Sequence, residues 1–373
     1  MNTDNNYVAG VVFGGPSDEH DVSVLTGLQV LHEISRSARI VYGIYWSKSG
    51  EFYSIPASLE AAAFMNGVPK EAGRLAFEVG GNGGFFTNSR LSKKRLPLDA
   101  AINCCHGGPG EDGTLQGMLQ MAGIAYTGQG VAGASLVMDK VAFYGAVSAA
   151  GLSVLPRVLL RGEVDIDVPF DPPYIVKPRF GGSSIGIEVV NDLGTARDLA
   201  RVSPYLRRGA VLEPYRPDLS DLNVGVRTFP SVEISAVERP LRRDKSGEIL
   251  SYEDKYSGRE GMVSAPRELP ADVDESVIKN IRSIAASLID IVAIRGIVRV
   301  DFLWKEGELY LNEVNSIPGS LARYLWIDPP RRFVELLDDM VAEAMNATAI
   351  SYSVQGADGS VLERASSIAS KLA

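Results

Sequence analysis

Apolar residues fall in short runs along this chain, and several runs end in glycine. YVAGVVFGG, residues 7–15, is the first: a buried-strand pattern opening into a Gly-Gly loop. SVLTGLQVLHEI then switches to helical spacing, and IVYGIYWS and GEFYSI read as two further strands. LDAAINCCHGG repeats the strand-into-glycine pattern, and TLQGMLQMAGI continues as a helix. Strands alternating with helices predict an α/β domain with a mainly parallel sheet, whose ligand loops lie at strand C-termini. Near residue 135 the pattern changes. SLVMDKVAFYGAVSAAGL reads as one helix, VLPRVLL as a strand, and PPYIVKPRF with IGIEVV as a hairpin around a glycine-serine loop. DLGTARDLARVS and AVLEPY follow as helix and strand. From about residue 216 come LNVGVRTF, SVEISAVER and EILSY as strands, then a long polar loop, DKYSGREGMVSAPREL. SVIKNIRSIAASLIDIV is an amphipathic helix, GIVRVDFLWKEGELYLNEVN a hairpin, and PRRFVELLDDMVAEAM a last helix. This divides the chain into an N-terminal α/β domain (1–134), a small α+β unit (135–215), a second one (216–347) and a tail (348–373).

Composition narrows the class. Thirty-seven basic residues stand against 46 acidic ones, for a net charge of −9, so a general nucleic-acid binder is not expected. No run reaches the length of a membrane span, and the N-terminus has no basic region followed by an apolar stretch, so a cytoplasmic protein is expected. The two cysteines, Cys104 and Cys105, are neighbours at the end of an apolar run. Adjacent cysteines rarely bridge, so both read as small core residues in a reducing compartment.

Three stretches carry candidate chemistry. In IVKPRFGGSSIGIEVV, Lys177 ends a strand, and Gly181, Gly182, Ser183 and Ser184 offer backbone N–H groups and hydroxyls. Such a loop can wrap phosphate oxygens, although a hairpin turn beside a solvated lysine has the same sequence. In VRVDFLWKEGELYLNEVNSIPG, Glu313 and Asn315 lie two apart in a strand and share a face, with Asp301 on the partner strand. These are hard oxygen donors suited to Mg²⁺, although an exposed, salt-bridged hairpin has the same sequence. A two-residue turn at Glu306-Gly307 would pair Asp301 with Asn312; a three- or five-residue turn, or a bulge, would set Asp301 opposite Glu313. In FGGPSDEHDVS, Glu19 follows a Gly-Gly turn, where a carboxylate could hold a substrate ammonium or sit in the first turn of a helix capped by Ser17. HGGPGEDGTLQG, with His106, Glu111 and Asp112, has the same ambiguity. Gly128-x-Gly130-x-x-Gly133 matches a dinucleotide fingerprint, but no acidic residue follows about twenty positions on, and it reads as a joining loop.

In order along the chain, GGPSDEHDVS, HGGPGEDGTLQG, VKPRFGGSSIG and RVDF…LNEVNSIPG resemble the D-alanine–D-alanine ligase family of the ATP-grasp superfamily, over roughly residues 7–330. The resemblance implies a three-domain ATP-grasp fold and a homodimer. It implies an enzyme that uses ATP and Mg²⁺, with Mn²⁺ as an alternative ion, to activate one amino acid as an acylphosphate for attack by the amine of another. By that likeness Lys140 and Lys177 hold ATP phosphates, Ser183 and Ser184 line the loop over them, and Glu213 and Tyr215 sit at the adenine. Asp221 holds the ribose, and Lys255 and Tyr256 belong to a loop that closes on the site. Glu19, Ser183 and Tyr256 form a linking triad, with Glu19 on the first amino acid's ammonium. Arg299 steadies the oxyanion, and Asp301, Glu313 and Asn315 carry the metal. His106, Gly319, Arg323 and Tyr324 surround the substrates. Departures from the family pattern are Tyr324 in place of a serine at the acceptor, with Arg323 beside it, Phe180-Gly181 where an acid is common, Pro214 for a lysine, and a shorter turn in the metal hairpin. Two rivals keep much of this residue set: an ATP-grasp ligase with another acceptor, and an ATP-binding homologue without turnover.

Overall fold

A computed structural model describes residues 7–37, 39–88, 93–160, 166–241, 266–347, 354–365 and 367–369. The N-terminal sheet has eight strands: β1 (Val8–Gly14), β2 (Ile40–Trp46), β3 (Phe52–Ile55), β4 (Gly73–Glu78), β5 (Gly84–Asn88), β6 (Lys93–Arg95), β7 (Ala100–Asn103) and β8 (Ala125–Tyr126). Their order is β6-β5-β4-β3-β2-β1-β7-β8. The run β2-β1-β7-β8 is parallel, as the alternation of strands and helices predicts. Strands β3 to β6 extend it as an antiparallel meander, which makes the sheet mixed. Residues 73–95 in that meander carry no apolar run as strong as the others and gave no strand signal. Helices α1 (His20–Arg36), α2 (Gly108–Glu111) and α3 (Thr114–Met121) follow β1 and β7. Cys104 and Cys105 are fully buried just beyond β7.

The stretch expected as one helix over residues 135–152 belongs to two, α4 (Val131–Met138) and α5 (Lys140–Ala149). Asp139 between them is extended, and its carboxylate accepts from the N–H groups of Val141 and Ala142. The break is a helix cap, and it puts Lys140 at the start of α5. Strands β9 (Val158–Leu160), β10 (Tyr174–Pro178) and β11 (Glu188–Val190), helix α6 (Leu193–Val202) and β12 (Ala210–Pro214) build a small antiparallel sheet ordered β11-β10-β12-β9.

The next segment adds β13 (Ser220–Arg227), β14 (Glu233–Ile234), β15 (Arg239–Pro240), β16 (Arg267–Glu268), α7 (Glu275–Ile291), β17 (Ile297–Lys305), β18 (Glu308–Asn315) and α8 (Phe333–Asn346). A short α9 (Ser360–Glu363) lies in the tail. The third sheet runs β14-β13-β17-β18, and β15 pairs with β16. The strand expected at EILSY, residues 248–252, lies outside the described residues. Period-two alternation splits the faces of β17: Val298, Val300 and Phe302 are fully buried against Ile281, Ala285 and Leu288 of α7, while Arg299, Asp301 and Leu303 line a cleft. The cores do not follow chain order. Val137, Phe143 and Val147 of α4 and α5 pack into the core under the third sheet. Ile317, Leu321, Leu325 and the apolar side of α8 pack with β1 and α1 of the N-terminal domain. The glycine-rich loop at residues 128–133 joins units: Arg295 donates to the Gly128 carbonyl at 2.6 Å and Gln129 to the Val292 carbonyl at 2.8 Å.

Candidate active site

The cleft is walled by the small sheet, the third sheet and two loops of the N-terminal domain. On β10, Tyr174 and Val176 are buried in the small sheet's own core, so Ile175 and Lys177 face the cleft. Lys177 Nζ meets Glu213 Oε2 at 2.7 Å, and Arg157 Nε meets Glu213 Oε1 at 2.7 Å. Burial alone would raise the Glu213 carboxyl; the charges of Arg157 and Lys177 outweigh it and hold the pKa at about 2. Lys140 is buried and donates to the Gly181 carbonyl at 2.5 Å. Burial pushes its ammonium below the usual lysine range, and the Glu313 carboxylate opposes that shift. Tyr215 and Asp221 line the same cleft beyond Glu213.

Glu19 enters from the N-terminal domain. It occupies the cap position of α1 but makes no side-chain cap bond there. Its carboxylate instead accepts from the Ser183 hydroxyl of the glycine-serine loop. Ser17 receives the Glu19 N–H at 3.0 Å and donates to the His106 carbonyl at 2.7 Å, which ties the two N-terminal loops together. Two glycines make room for Glu19. A Cβ at Gly107, where φ is +64°, would lie 2.4 Å from Glu19 Oε2, and one at Gly182 would lie 3.2 Å from the same atom. Glu111, one of the ambiguous acids of the second loop, is buried, and accepts from the Gly107 N–H at 2.9 Å, the Ser316 hydroxyl at 2.9 Å and the Ile317 N–H at 3.0 Å. It fastens that loop to SIPG.

The third sheet supplies the acidic side. The hairpin turn is the two-residue one, with Lys305 opposite Glu308, yet Asp301 stands opposite Glu313. A bulge at Asn312 absorbs the extra residue, because Phe302 still pairs with Leu311. Arg299 lies opposite Asn315. Arg299 grips Asp301 through Nε at 2.6 Å and Nη2 at 2.7 Å, and Asn315 donates to Asp301 Oδ2 at 3.0 Å. The guanidinium keeps three further N–H groups for other partners. On the other flank, Asn223 faces Asp301 across β13 and β17, and donates to Glu238 at 3.2 Å. Among the described residues no three His, Cys, Asp or Glu side chains converge on one point. Two carboxylates and an amide oxygen facing an open cleft fit Mg²⁺, which is completed by substrate phosphates and needs no full protein cage.

Between the acidic strip and the N-terminal loops lies a third part of the cleft. His106 is buried and lies 2.9 Å from the Thr26 hydroxyl, which accepts the Ser320 N–H at 3.2 Å. Burial, aided by the Arg299 charge, pushes its pKa down to about 3, so its imidazole is neutral at physiological pH. Gly319 lines the cleft, and Ser320, Leu321 and Ala322 then take left-handed φ values of 51°, 48° and 51°. Each such non-glycine residue costs about 1–2 kcal/mol, offset here by burial of Leu321 and Ala322. The turn delivers Tyr324 to the cleft, where its buried hydroxyl has no hydrogen-bond partner among the described residues. Arg323 does not join it. Its guanidinium lies over the Phe333 ring, 5.4 Å from the centroid, because successive residues of so tight a turn point in different directions. Arg267 takes the place beside Tyr324 instead, 4.3 Å over its ring, and pairs with Glu238 at 2.8 Å. Lys255 and Tyr256 lie outside the described residues. Arg157, Asn223, Glu238 and Arg267 are cleft residues that motif reading missed, since isolated polar residues match no pattern.

Comparison with known proteins agrees with this geometry. The D-ala D-ala ligase N-terminus model matches residues 8–129, and the D-ala D-ala ligase C-terminus model matches residues 163–341. A D-alanine–D-alanine ligase of Nitratiruptor sp. is 32% identical over 333 residues, covering 88% of this chain and 92% of the relative. The crystal structure of D-alanine–D-alanine ligase from Helicobacter pylori aligns with a TM-score of 0.70 at 26% identity, covering 91% of this chain and 98% of that one. VanG D-Ala:D-Ser ligase from Enterococcus faecalis shares the fold, with a TM-score of 0.72 at 24% identity over 91% of this chain and 99% of that one. The chain belongs to the D-alanine–D-alanine ligase family and is an ATP-dependent carboxylate–amine ligase with the ATP-grasp fold.

Proposed function

We propose that this enzyme joins two molecules of D-alanine for peptidoglycan synthesis, through a D-alanyl phosphate. The reading rests above all on one observation: the Glu19 carboxylate and the Ser183 hydroxyl meet in the same cleft as the acidic strip of Asp301 and Glu313. Lys140, Lys177 and the Ser183-Ser184 loop hold the ATP phosphates, Glu213 and Tyr215 the adenine, and Asp221 the ribose. Asp301, Glu313 and Asn315 would hold Mg²⁺, which neutralises phosphate charge as the γ-phosphoryl group moves to the donor carboxylate. Glu19 orients the donor ammonium. The acceptor amine attacks the acyl carbon, Arg299 steadies the resulting oxyanion with N–H groups not used on Asp301, and phosphate leaves. Tyr324, its hydroxyl without a partner among the described residues and Arg267 over its ring, binds the acceptor carboxylate. Neutral His106 packs behind the Gly319 turn and keeps it in place. The enzyme works as a homodimer in the cytoplasm, as the family resemblance implies.

The test is ADP release with ATP and Mg²⁺ against D-alanine alone, then against D- and L-amino acids singly and in pairs. Turnover with D-alanine alone is expected. Turnover only with a mixed pair would keep the acylphosphate chemistry and move the acceptor assignment. ATP binding without turnover on any pair would sink the proposal.

A further inference from the structure

One buried residue outside the assigned set touches both halves of the cleft. Arg157 lies just before β9 with a side chain that is 4% exposed. Its Nε reaches Glu213 at 2.7 Å. Its Nη2 donates to the Asn312 carbonyl at 2.6 Å and lies 3.3 Å from Asn312 Oδ1. Asn312 is the bulged residue of β18. The extra residue of a bulge loses its ladder partner, and a buried backbone carbonyl without a donor is costly. The segment around Arg157 supplies the missing bonds. The Leu311 N–H donates to the Ser153 carbonyl at 2.8 Å, and Val154 forms a parallel bridge with Leu311. Residues 153–157 therefore run beside β18 at the bulge and take up the backbone groups on either side of the register shift.

The location matters because of what the bulge does. With this two-residue turn, regular pairing would set Asp301 opposite Asn312 and turn Glu313 to the other face. The bulge alone brings Glu313 to face Asp301. We infer that Arg157 is a positioning residue for the metal strand: it pins the bulge at Asn312, so that Glu313 faces Asp301, and it ties that register to Glu213 on the nucleotide side. The inference rests on the metal and nucleotide roles proposed above.

Removing Asn312 makes the test selective. In a chain lacking Asn312, Phe302 and Leu311 remain paired and Glu313 follows directly opposite Asp301 with no bulge to hold. Arg157 should then matter little for the metal. The experiment is an Mn²⁺ titration by electron paramagnetic resonance with a non-hydrolysable ATP analogue, alongside analogue affinity without metal. It is run on the full chain, on Arg157→Met, on the Asn312 deletion and on the combination. The expected result is a loss of Mn²⁺ affinity of about 10- to 100-fold for Arg157→Met in the natural-length chain, and about twofold or less in the deletion background. Analogue affinity without metal should change equally in both backgrounds, because Glu213 loses the same partner in each. Arg157→Lys, which keeps a charge for Glu213 but cannot bond both groups, should lose Mn²⁺ affinity while keeping most analogue affinity, and it serves if Arg157→Met does not fold. Equal Mn²⁺ losses in both backgrounds, or none in either, would overturn the inference. A wild-type protein that takes up no Mn²⁺ with the analogue would overturn the function reading and the inference with it.

Discussion

Two hairpins face each other across the cleft, and they are held in place by different means. The hairpin of β10 and β11 presents a loop of glycines and serines whose conformation depends on a distant partner. Ser183 and Ser184 take φ of 52° and 60°, and Glu19 reaches Ser183 from another domain. The hairpin of β17 and β18 presents side chains from paired strands, and their direction is a matter of register. The first is therefore open to long-range disturbance and the second to a one-residue slip. On the loop side the vulnerable points are the glycines packed on Glu19. On the strand side the vulnerable feature is the register that sets Glu313 opposite Asp301.

The largest expected effect tests the strand side. Glu313→Gln keeps shape and register and removes one negative charge. Turnover at saturating Mg²⁺ should fall on the order of 10³-fold while nucleotide affinity changes little. Near-wild-type turnover would mean that the acidic strip does not carry the metal. The loop side is tested by Gly107→Ala, which alters no group assigned to ATP. Its Cβ would lie 2.4 Å from Glu19 Oε2. Displacing Glu19 should lower kcat/KM for the donor amino acid about 10²-fold, with ATP affinity nearly unchanged. A parallel loss of ATP affinity would show that the two hairpins are not independent. The smallest effect concerns stability. His106 is buried with its pKa pushed down to about 3, so below the usual histidine range of about 6.5 the unfolded chain binds a proton that the folded chain refuses. Stability contributed by this group falls as pH falls through that window. Urea denaturation of His106→Gln should lose about 2 kcal/mol less than wild type between pH 7 and pH 5. Equal losses would mean that His106 is solvated.

Part of this site is legible before folding, because strand alternation alone puts Glu313 and Asn315 on one face, and the apolar run before Lys177 marks it as the end of a strand. Other features depend on tertiary structure. The split at Asp139 needed knowledge that Arg179 pairs with it at 2.7 Å, which favours an extended cap over a continuing helix. The bulge was one of several registers that the hairpin sequence allowed, and the residue that caps it, Arg157, lies 155 positions away. Arg323 and Tyr324 are neighbours in sequence, but the left-handed turn sends only Tyr324 into the cleft. Arg267 carries no motif, and its place beside Tyr324 appears only once β15 and β16 are paired.

The Asn312 bulge also bears on how relatives of this hairpin should be sought. The same two carboxylates face each other if the extra residue sits in the strand, as here, or in a three-residue turn at unchanged length, or if it is deleted outright. The interval between the aspartate and the glutamate is therefore a poor signature. A search pattern with a fixed gap would discard functional homologues, and a gap placed at the turn would misassign the facing of every residue up to the bulge.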